Sequence, residues 1–233
     1  MAGKKETIPA SPANDRKIRV SKNGPYLVSG SIPLIKKEIL NDAEGYCSAW
    51  RDAEHYPLRE QYALCRCGHS GNKPFCDGTH QRIRFEGTET AADEPYLSFA
   101  DRINGPTFSL TDAEGMCVHA RFCMRAGGIW NLVRQSDNKK ARAIAIEEAA
   151  NCPSGRLVVW DKKTGKAIEP ALEPSIVVIE YPARDEHGPL WVRGGIPVES
   201  ADGHMYEIRN RVTLCRCGKS KNKPFCDGSH IHD

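Results

Sequence analysis

Two blocks of the chain carry cysteine and histidine at one spacing: CRCGHSGNKPFCDGTH over residues 65–80 and CRCGKSKNKPFCDGSH over 215–230. Thiolates and an imidazole are soft donors, so the chemistry in view is zinc or iron–sulfur binding. The donors are Cys65, Cys67, Cys76 and His80 in one block and Cys215, Cys217, Cys226 and His230 in the other. A Cys-x-Cys pair sets two thiolates side by side, and the following loop returns the chain so that the second Cys and the His can join them. Pro74 and Pro224 restrict that loop. Cys76-Asp77-Gly78-Thr79-His80 reads as a helix start, with Asp77 as N-cap and Cys76 and His80 one turn apart. Structural zinc sites favour Cys-x2-4-Cys hooks. The Cys-x-Cys spacing therefore favours iron–sulfur but leaves zinc open.

The blocks are offset by 150 residues, and the repetition extends upstream of them. Gly24-Pro25-Tyr26-Leu27-Val28-Ser29-Gly30-Ser31-Ile32-Pro33 is echoed by Gly188-Pro189-Leu190-Trp191-Val192-Arg193-Gly194-Gly195-Ile196-Pro197. The first copy is longer, with about fourteen extra residues near Asn41 to Glu54. Short apolar runs broken by Gly and Pro predict strands leading into each first cysteine. One such copy buries little by itself. Two copies packed about a pseudo-two-fold axis solve this.

The expected organisation is a flexible N-terminal segment (1–19), a first repeat (20–80), a middle module (81–186) and a second repeat (187–233). The expected fold class is α+β: two small β-rich repeats as a pseudo-two-fold pair, with a ferredoxin-like α+β insertion between them. Within the insertion, Tyr96–Phe99, Phe108–Leu110, Leu157–Trp160 and Ile176–Glu180 read as strands. Met116–Ala126 and Ala141–Cys152 read as helices, and Asp161–Gly165 as a turn.

Composition narrows the function classes. The chain has 233 residues, 39% of them hydrophobic, and a mean hydropathy of −0.53. No run approaches the ~18 apolar residues of a membrane span. A net charge of +3 gives no nucleic-acid footprint. The N-terminus lacks the apolar stretch of a secretory signal, and Glu6 and Asp15 argue against a transit peptide. Ten cysteines in local clusters fit ligation in a reducing compartment, read as the cytoplasm, better than disulfides.

The repeated block resembles the CDGSH iron–sulfur (NEET) family, in its tandem-repeat bacterial type. The match covers Cys65-x-Cys67-x2-Ser70-x3-Pro74-x-Cys76-Asp77-Gly78-Thr79-His80 and its counterpart ending Cys226-Asp227-Gly228-Ser229-His230. Thr79 departs from the name-giving serine but keeps the hydroxyl. The resemblance implies two 2Fe–2S clusters, with Cys65 and Cys67 on one iron, Cys76 and His80 on the other, and likewise in the second block. One neutral imidazole in place of a thiolate should raise the potential, as in Rieske centres, and make the site sensitive to acid.

In the insertion, Cys117-x5-Cys123 and the later Cys152-Pro153 resemble single-cluster bacterial ferredoxins. That resemblance implies a third cluster, 3Fe–4S or 4Fe–4S, on Cys117, Cys123 and Cys152. The usual fourth ligand falls at Ala120, which cannot bind; His119 is adjacent. Buried thiols without a cluster are the alternative. Cys47 reads as a free thiol and His69 as a surface residue; His55, His187, His204 and His232 receive no role. Arg66, Lys73, Arg216 and Lys223 read as a solvated basic face or, less simply, as a dock for an acidic partner.

No nucleophile–base pair, phosphate loop or dinucleotide fingerprint is present, so a carrier is expected rather than an enzyme. The leading reading is electron transfer or redox sensing with a redox partner protein. Alternatives are cluster donation to apo-proteins and a zinc-stabilised interaction module. The internal pseudo-dimer would suit a monomer.

Overall fold

The computed structural model describes residues 16–232; most of the segment read as flexible (1–15) lies outside them. Strand β1 (Lys17–Val20) begins inside that segment and packs Ile18 and Val20 into the core. It pairs antiparallel with β2 (Tyr26–Ser29). The hairpin of β3 (Leu34–Asn41) and β4 (Cys47–His55) follows, and β5 (Gln61–Leu64) leads into the first cysteine pair. A short helix α1 (Thr79–Arg82) closes the first block.

The insertion contains α2 (Tyr96–Phe99), β6 (Asp101–Asn104), β7 (Phe108–Asp112), α3 (Ile129–Arg134), α4 (Lys139–Ala150), β8 (Leu157–Asp161) and β9 (Ala167–Ile168). Its four strands form one sheet in the order β6-β7-β8-β9. Ala141, Ala145 and Ala149 of α4 share a core with Phe108, Leu110, Leu157 and Val159 of that sheet. Asn138 caps α4, accepting from the amides of Lys140 and Ala141. The remaining strands are β10 (Ser175–Tyr181), β11 (Glu186–Arg193), β12 (Val198–Glu199) and β13 (Arg211–Leu214).

The two repeats exchange strands. After β2 the chain crosses to the other sheet, where β3 runs parallel to β10 with Leu34 opposite Ile176. After β11 it crosses back, and β12 runs parallel to β1 with Val198 opposite Ile18. The sheets are therefore β12-β1-β2-β5 and β13-β11-β10-β3-β4. Tyr26 opposite Leu64 in one sheet corresponds to Leu190 opposite Leu214 in the other. One core of Ile18, Val20, Tyr26, Val28, Leu64, Ile176, Val178, Leu190, Val192 and Leu214 lies between them. The α+β pseudo-two-fold pair with an inserted module is the architecture found.

Several local expectations change. Strand β10, read as part of the middle module, belongs to the second repeat's sheet. Its central run Ile176-Val177-Val178-Ile179 is continuously apolar because both faces are covered. Ile176 and Val178 face the shared core, while Val177 and Ile179 join Val118, Phe122 and Trp191 on the opposite side. Tyr96–Phe99 is a helical turn rather than a strand. Pro95 starts it, and the Tyr96 amide donates to Glu207 Oε2 at 2.7 Å. Met116–Ala126 is not one helix: short 3-10 turns at 114–116 and 122–127 flank a loop with left-handed His119 (φ 54°) and Arg121 (φ 61°). Ala141–Cys152 largely coincides with α4, and the 161–165 turn closes with Gly165 N donating to Asp161 O at 2.8 Å.

The extra residues of the first repeat form the last residue of β3, the turn after it and nearly all of β4. They act as a clamp on the insertion. Trp50 stacks on Phe122 at 4.7 Å between ring centroids and meets Trp191 at 5.1 Å. Its Nε1 donates to Asn151 Oδ1 at 3.1 Å. Trp50→Ala is expected to cost about 2–3 kcal/mol, from a half-buried indole losing two ring contacts. Denaturant unfolding reads the loss, and limited proteolysis should then cut first at the borders of the insertion.

Candidate metal centres

Each CDGSH-like block is held by its own backbone. Cys65 N donates to Pro74 O at 2.8 Å and Cys76 N to Ala63 O at 2.9 Å; Cys215 N to Pro224 O and Cys226 N to Thr213 O repeat these bonds at 2.8 and 2.9 Å. Ser70 Oγ donates to Phe75 O at 2.6 Å, as Ser220 Oγ does to Phe225 O. Asp77 is not the N-cap: Gly78 holds that position, with φ 86°. The Asp77 carboxylate braces the loop, accepting from Thr79 N at 3.0 Å and Gly71 N at 2.8 Å. Those amides hold it well below the usual carboxylate range. Asp227 accepts equivalently from Ser229 N and Lys221 N.

The donors arrive as pairs. Cys65 Sγ and Cys67 Sγ are 3.8 Å apart, and Cys76 Sγ and His80 Nδ1 are 3.3 Å apart. In the second block the separations are 3.7 Å for Cys215 and Cys217 and 3.4 Å for Cys226 and His230. Two thiolates on one tetrahedral metal, each at about 2.3 Å, stand about 3.8 Å apart. The Cys-x-Cys pairs match that distance. Among the described residues, no group of three or more His, Cys, Asp or Glu side chains converges on a single metal ion. The residues fit a cluster wide enough for each metal to take one pair.

Burial governs the metal-free thiols. It pushes Cys67 and Cys226 above the usual thiol range. Cys215 goes the other way, because the Cys217 thiol and the amides of Ser220, Gly218 and Cys217 donate to it. Cys217, as the donor of that pair, is correspondingly raised. Burial lowers His230 to about 4, so its imidazole is a neutral donor at physiological pH. Loading these sites must expel thiol protons.

The two blocks face each other. A Cβ on Gly68 would lie 2.5 Å from Cys217 O, and one on Gly218 would lie 2.8 Å from Cys67 O. Only glycine permits this approach. Cys65, Cys217 and His230 line a common cleft of about 530 Å³ with Lys73, Arg184 and Arg216. Arg66 is not on a basic face. It is buried, donates to Ser21 O at 3.2 Å and to Gly87 O, and lies 5.7 Å from the rings of Tyr26 and Phe85. Arg216 pairs with Glu180 at 2.7 Å, while Lys223 Nζ donates to Ser220 O at 2.6 Å. Sequence reasoning missed Tyr26, whose hydroxyl lies 2.7 Å from Cys215 O and 3.0 Å from Pro224 O, bracing the second site from the first repeat.

In the insertion, Cys117, Cys123 and Cys152 line one small cavity of about 30 Å³ with Pro153, Ser154 and Arg156. Burial and its two sister thiols push Cys123 up to about 12. Arg156 reaches Cys117 and is anchored on Asp112 Oδ2 at 2.9 Å, supplying positive charge beside the sulfurs. His119 packs its ring over Gly228 of the second block. Cys47 is a buried thiol 3.2 Å from Tyr181 Oη.

Residues 23–81 and 187–231 match the family model described as iron-binding zinc finger, CDGSH type, and residues 103–162 match the divergent 4Fe-4S mono-cluster model. The chain thus carries two CDGSH domains around a divergent ferredoxin-like module. It is an iron–sulfur cluster-binding protein. No curated protein matches it. The 103–162 match covers all three cysteines of the insertion, while β10 and β11 fall outside it, in keeping with their place in the second CDGSH domain's sheet. Among the described residues no helix is long and apolar enough to cross a membrane.

Glu148 lies fully buried on α4 near Cys123, and among the described residues neither side-chain oxygen has a hydrogen-bond partner at bonding geometry. Burial raises its carboxyl to about 8. The folded protein thus holds this proton more tightly than the unfolded chain. Stability should fall as pH rises from about 4.5 to 8, at up to about 1.4 kcal/mol per pH unit from this group. Glu148→Gln should flatten that slope and leave stability near pH 4 unchanged, as read by thermal unfolding across the range.

Proposed function

We propose that this chain is an electron carrier or redox sensor whose CDGSH domains each hold a 2Fe–2S cluster. Cys65, Cys67, Cys76 and His80 hold one, and Cys215, Cys217, Cys226 and His230 the other. The observation that carries the reading is the grouping of the donors as two close pairs in each block, with no converging group of three or more among the described residues. A single zinc ion needs the quartet; a cluster with two metals takes a pair on each. Cys117, Cys123 and Cys152, around one cavity beside Arg156, support a third cluster in the insertion.

The cluster supplies a one-electron redox couple. The chain sets its potential through ligand charge and sulfur hydrogen bonds. Gly78 N and Lys219 N each lie 3.5 Å from a ligand sulfur, Cys76 and Cys217 respectively, and stabilise its negative charge. The single imidazole lowers the ligand charge and gives the site its sensitivity to acid. The shared cleft sets Lys36, Lys73, Arg184, Arg216 and Lys219 against Glu180, Asp185 and Glu186, a mixed rim with a positive excess that suits a redox partner protein with an acidic docking face. The open space beside Gly78 favours, as a second reading, cluster transfer from the first site to an apo-protein. The cysteines are all free, which suits a reducing, cytoplasmic setting. The internal pairing of the repeats suits a monomer that needs no second copy to complete its core. Cluster binding supports reading it as a carrier rather than an enzyme.

Iron and acid-labile sulfide per chain test the reading: about four irons for the CDGSH pair alone, about seven or eight with the insertion loaded. Zinc in their place would overturn it. His80→Cys should lower the potential of the first site by on the order of 100 mV and slow its bleaching in acid, in the direction of all-cysteine clusters. A redox titration followed by visible absorption would show either shift, and no change in both would remove His80 from the ligand set.

A further inference from the structure

The two CDGSH loops are nearly identical in sequence, yet different neighbours meet them. Gly78 and Gly228 share one backbone conformation, φ 86° in each. Beside Gly78 an added Cβ would find nothing within 4 Å among the described residues. Beside Gly228 it would lie 2.5 Å from His119 Cδ2 and 2.7 Å from Cys117 O. The loop that carries Cys117 and leads to Cys123 is therefore seated directly on the loop between Cys226 and His230. Val118, Ala120 and Phe122 share a buried apolar cluster with Cys226 itself. His119 and His230 border one cavity of only about 10 Å³, a gap too small for more than about one water. On its other side, the second site meets the first through Gly68 and Gly218.

We propose that Cys117, His119 and Gly228 form a built junction joining the insertion's cysteine site to the second CDGSH site, so that the three sites form a one-electron chain ordered insertion, second, first. The inference rests on the reading that the insertion holds a cluster. Each step moves one electron between neighbouring centres, oxidising one and reducing the next, with no bond made or broken. A one-electron carrier protein supplies electrons at one end of the chain, and another removes them at the other. The first site, with open space at Gly78, is one terminus. The second site lies between the other two, meeting the insertion through His119 and the first site through the Cys67 loop. Val118, Ala120 and Gly228 are buried there, so packed protein spans the gap between neighbours, while His119 stands at its solvent edge.

The test uses the full chain loaded with iron and sulfide, by electron paramagnetic resonance. Cys76→Ser removes the first site and leaves the insertion and the second. Its second-site signal should show spin–spin broadening and fast relaxation from the insertion, and both should be lost when Cys152→Ser is added. Cys226→Ser leaves the insertion and the first site, whose signal should be narrow. Gly228→Ala and Gly78→Ala provide a matched pair with the same backbone strain, of which only Gly228→Ala crowds the junction. In the Cys76→Ser background, where the first site is already removed, Gly228→Ala should weaken the broadening or reduce iron in the insertion, whereas Gly78→Ala should change neither the insertion's iron nor the broadening of the second-site signal. If iron analysis finds no third centre, the reading of the insertion fails and the chain with it. If the third centre is present and the second-site signal is the same with and without it, the junction alone is overturned. Equal effects of the two glycine substitutions would likewise overturn it.

Discussion

The structure depends on one constraint: neither repeat can bury its core without a strand from the other. Strand β3 completes the second repeat's sheet, and β12 completes the first's. Small single cores are marginal, and the exchange makes one core of Ile18, Tyr26, Leu64, Ile176, Leu190 and Leu214 out of two inadequate ones. It also dictates where the metal sites lie. Strands β5 and β13 run out of that core into their Cys-x-Cys pairs, so the pairs emerge together and the loops meet at Gly68 and Gly218. Site proximity is thus a consequence of how the core is closed.

The insertion breaks the symmetry of that pair. It enters between β5 and β10, and it packs on the outer face of the second sheet rather than hanging from it. This is why β10 and β11 are buried on both faces through their centres while burial alternates along β1 and β2. The first repeat contributes the other half of the grip through Trp50, which stands between Phe122 of the insertion and Trp191 of β11. The extra length of the first repeat is therefore not a loop elaboration. It is the contact that fixes the insertion against the second site.

Much of this was legible in the residues. The tandem blocks, their donor sets and the pseudo-two-fold pairing follow from spacing and from the size limit on a single core. The strand at Ile176–Glu180 was legible too, but not its sheet, because an apolar run says only that both faces are covered and not by what. Short segments were misread where a single contact decides them. Tyr96 is helical because Pro95 starts a turn and Glu207, 111 residues away, receives its amide. The Cys117–Arg121 loop has helical composition, but wrapping its cysteine around a cavity requires left-handed backbone at His119 and Arg121. Asp77 looked like a cap because its spacing to Thr79 is right; Gly78 takes the cap position instead, and the carboxylate accepts from the Thr79 amide with one oxygen while the other ties the loop to Gly71.

The arginine shared by both Cys-x-Cys pairs shows why a repeated motif does not make a repeated environment. Arg66 is sealed inside the first repeat between Tyr26 and Phe85, while Arg216 is tied to Glu180 at the edge of the cleft. Tyr26, which sits under Arg66, has Leu190 as its counterpart, so only the first repeat sends a hydroxyl across to the carbonyls of Cys215 and Pro224. The positive charge near the first thiolates is consequently buried and fixed, and that near the second is largely compensated by a carboxylate. A buried cation favours the reduced, more negative state of a neighbouring centre more strongly than a paired one does. The two sites therefore differ in electrostatic setting although their ligands are identical, and that difference is built by residues outside the motif.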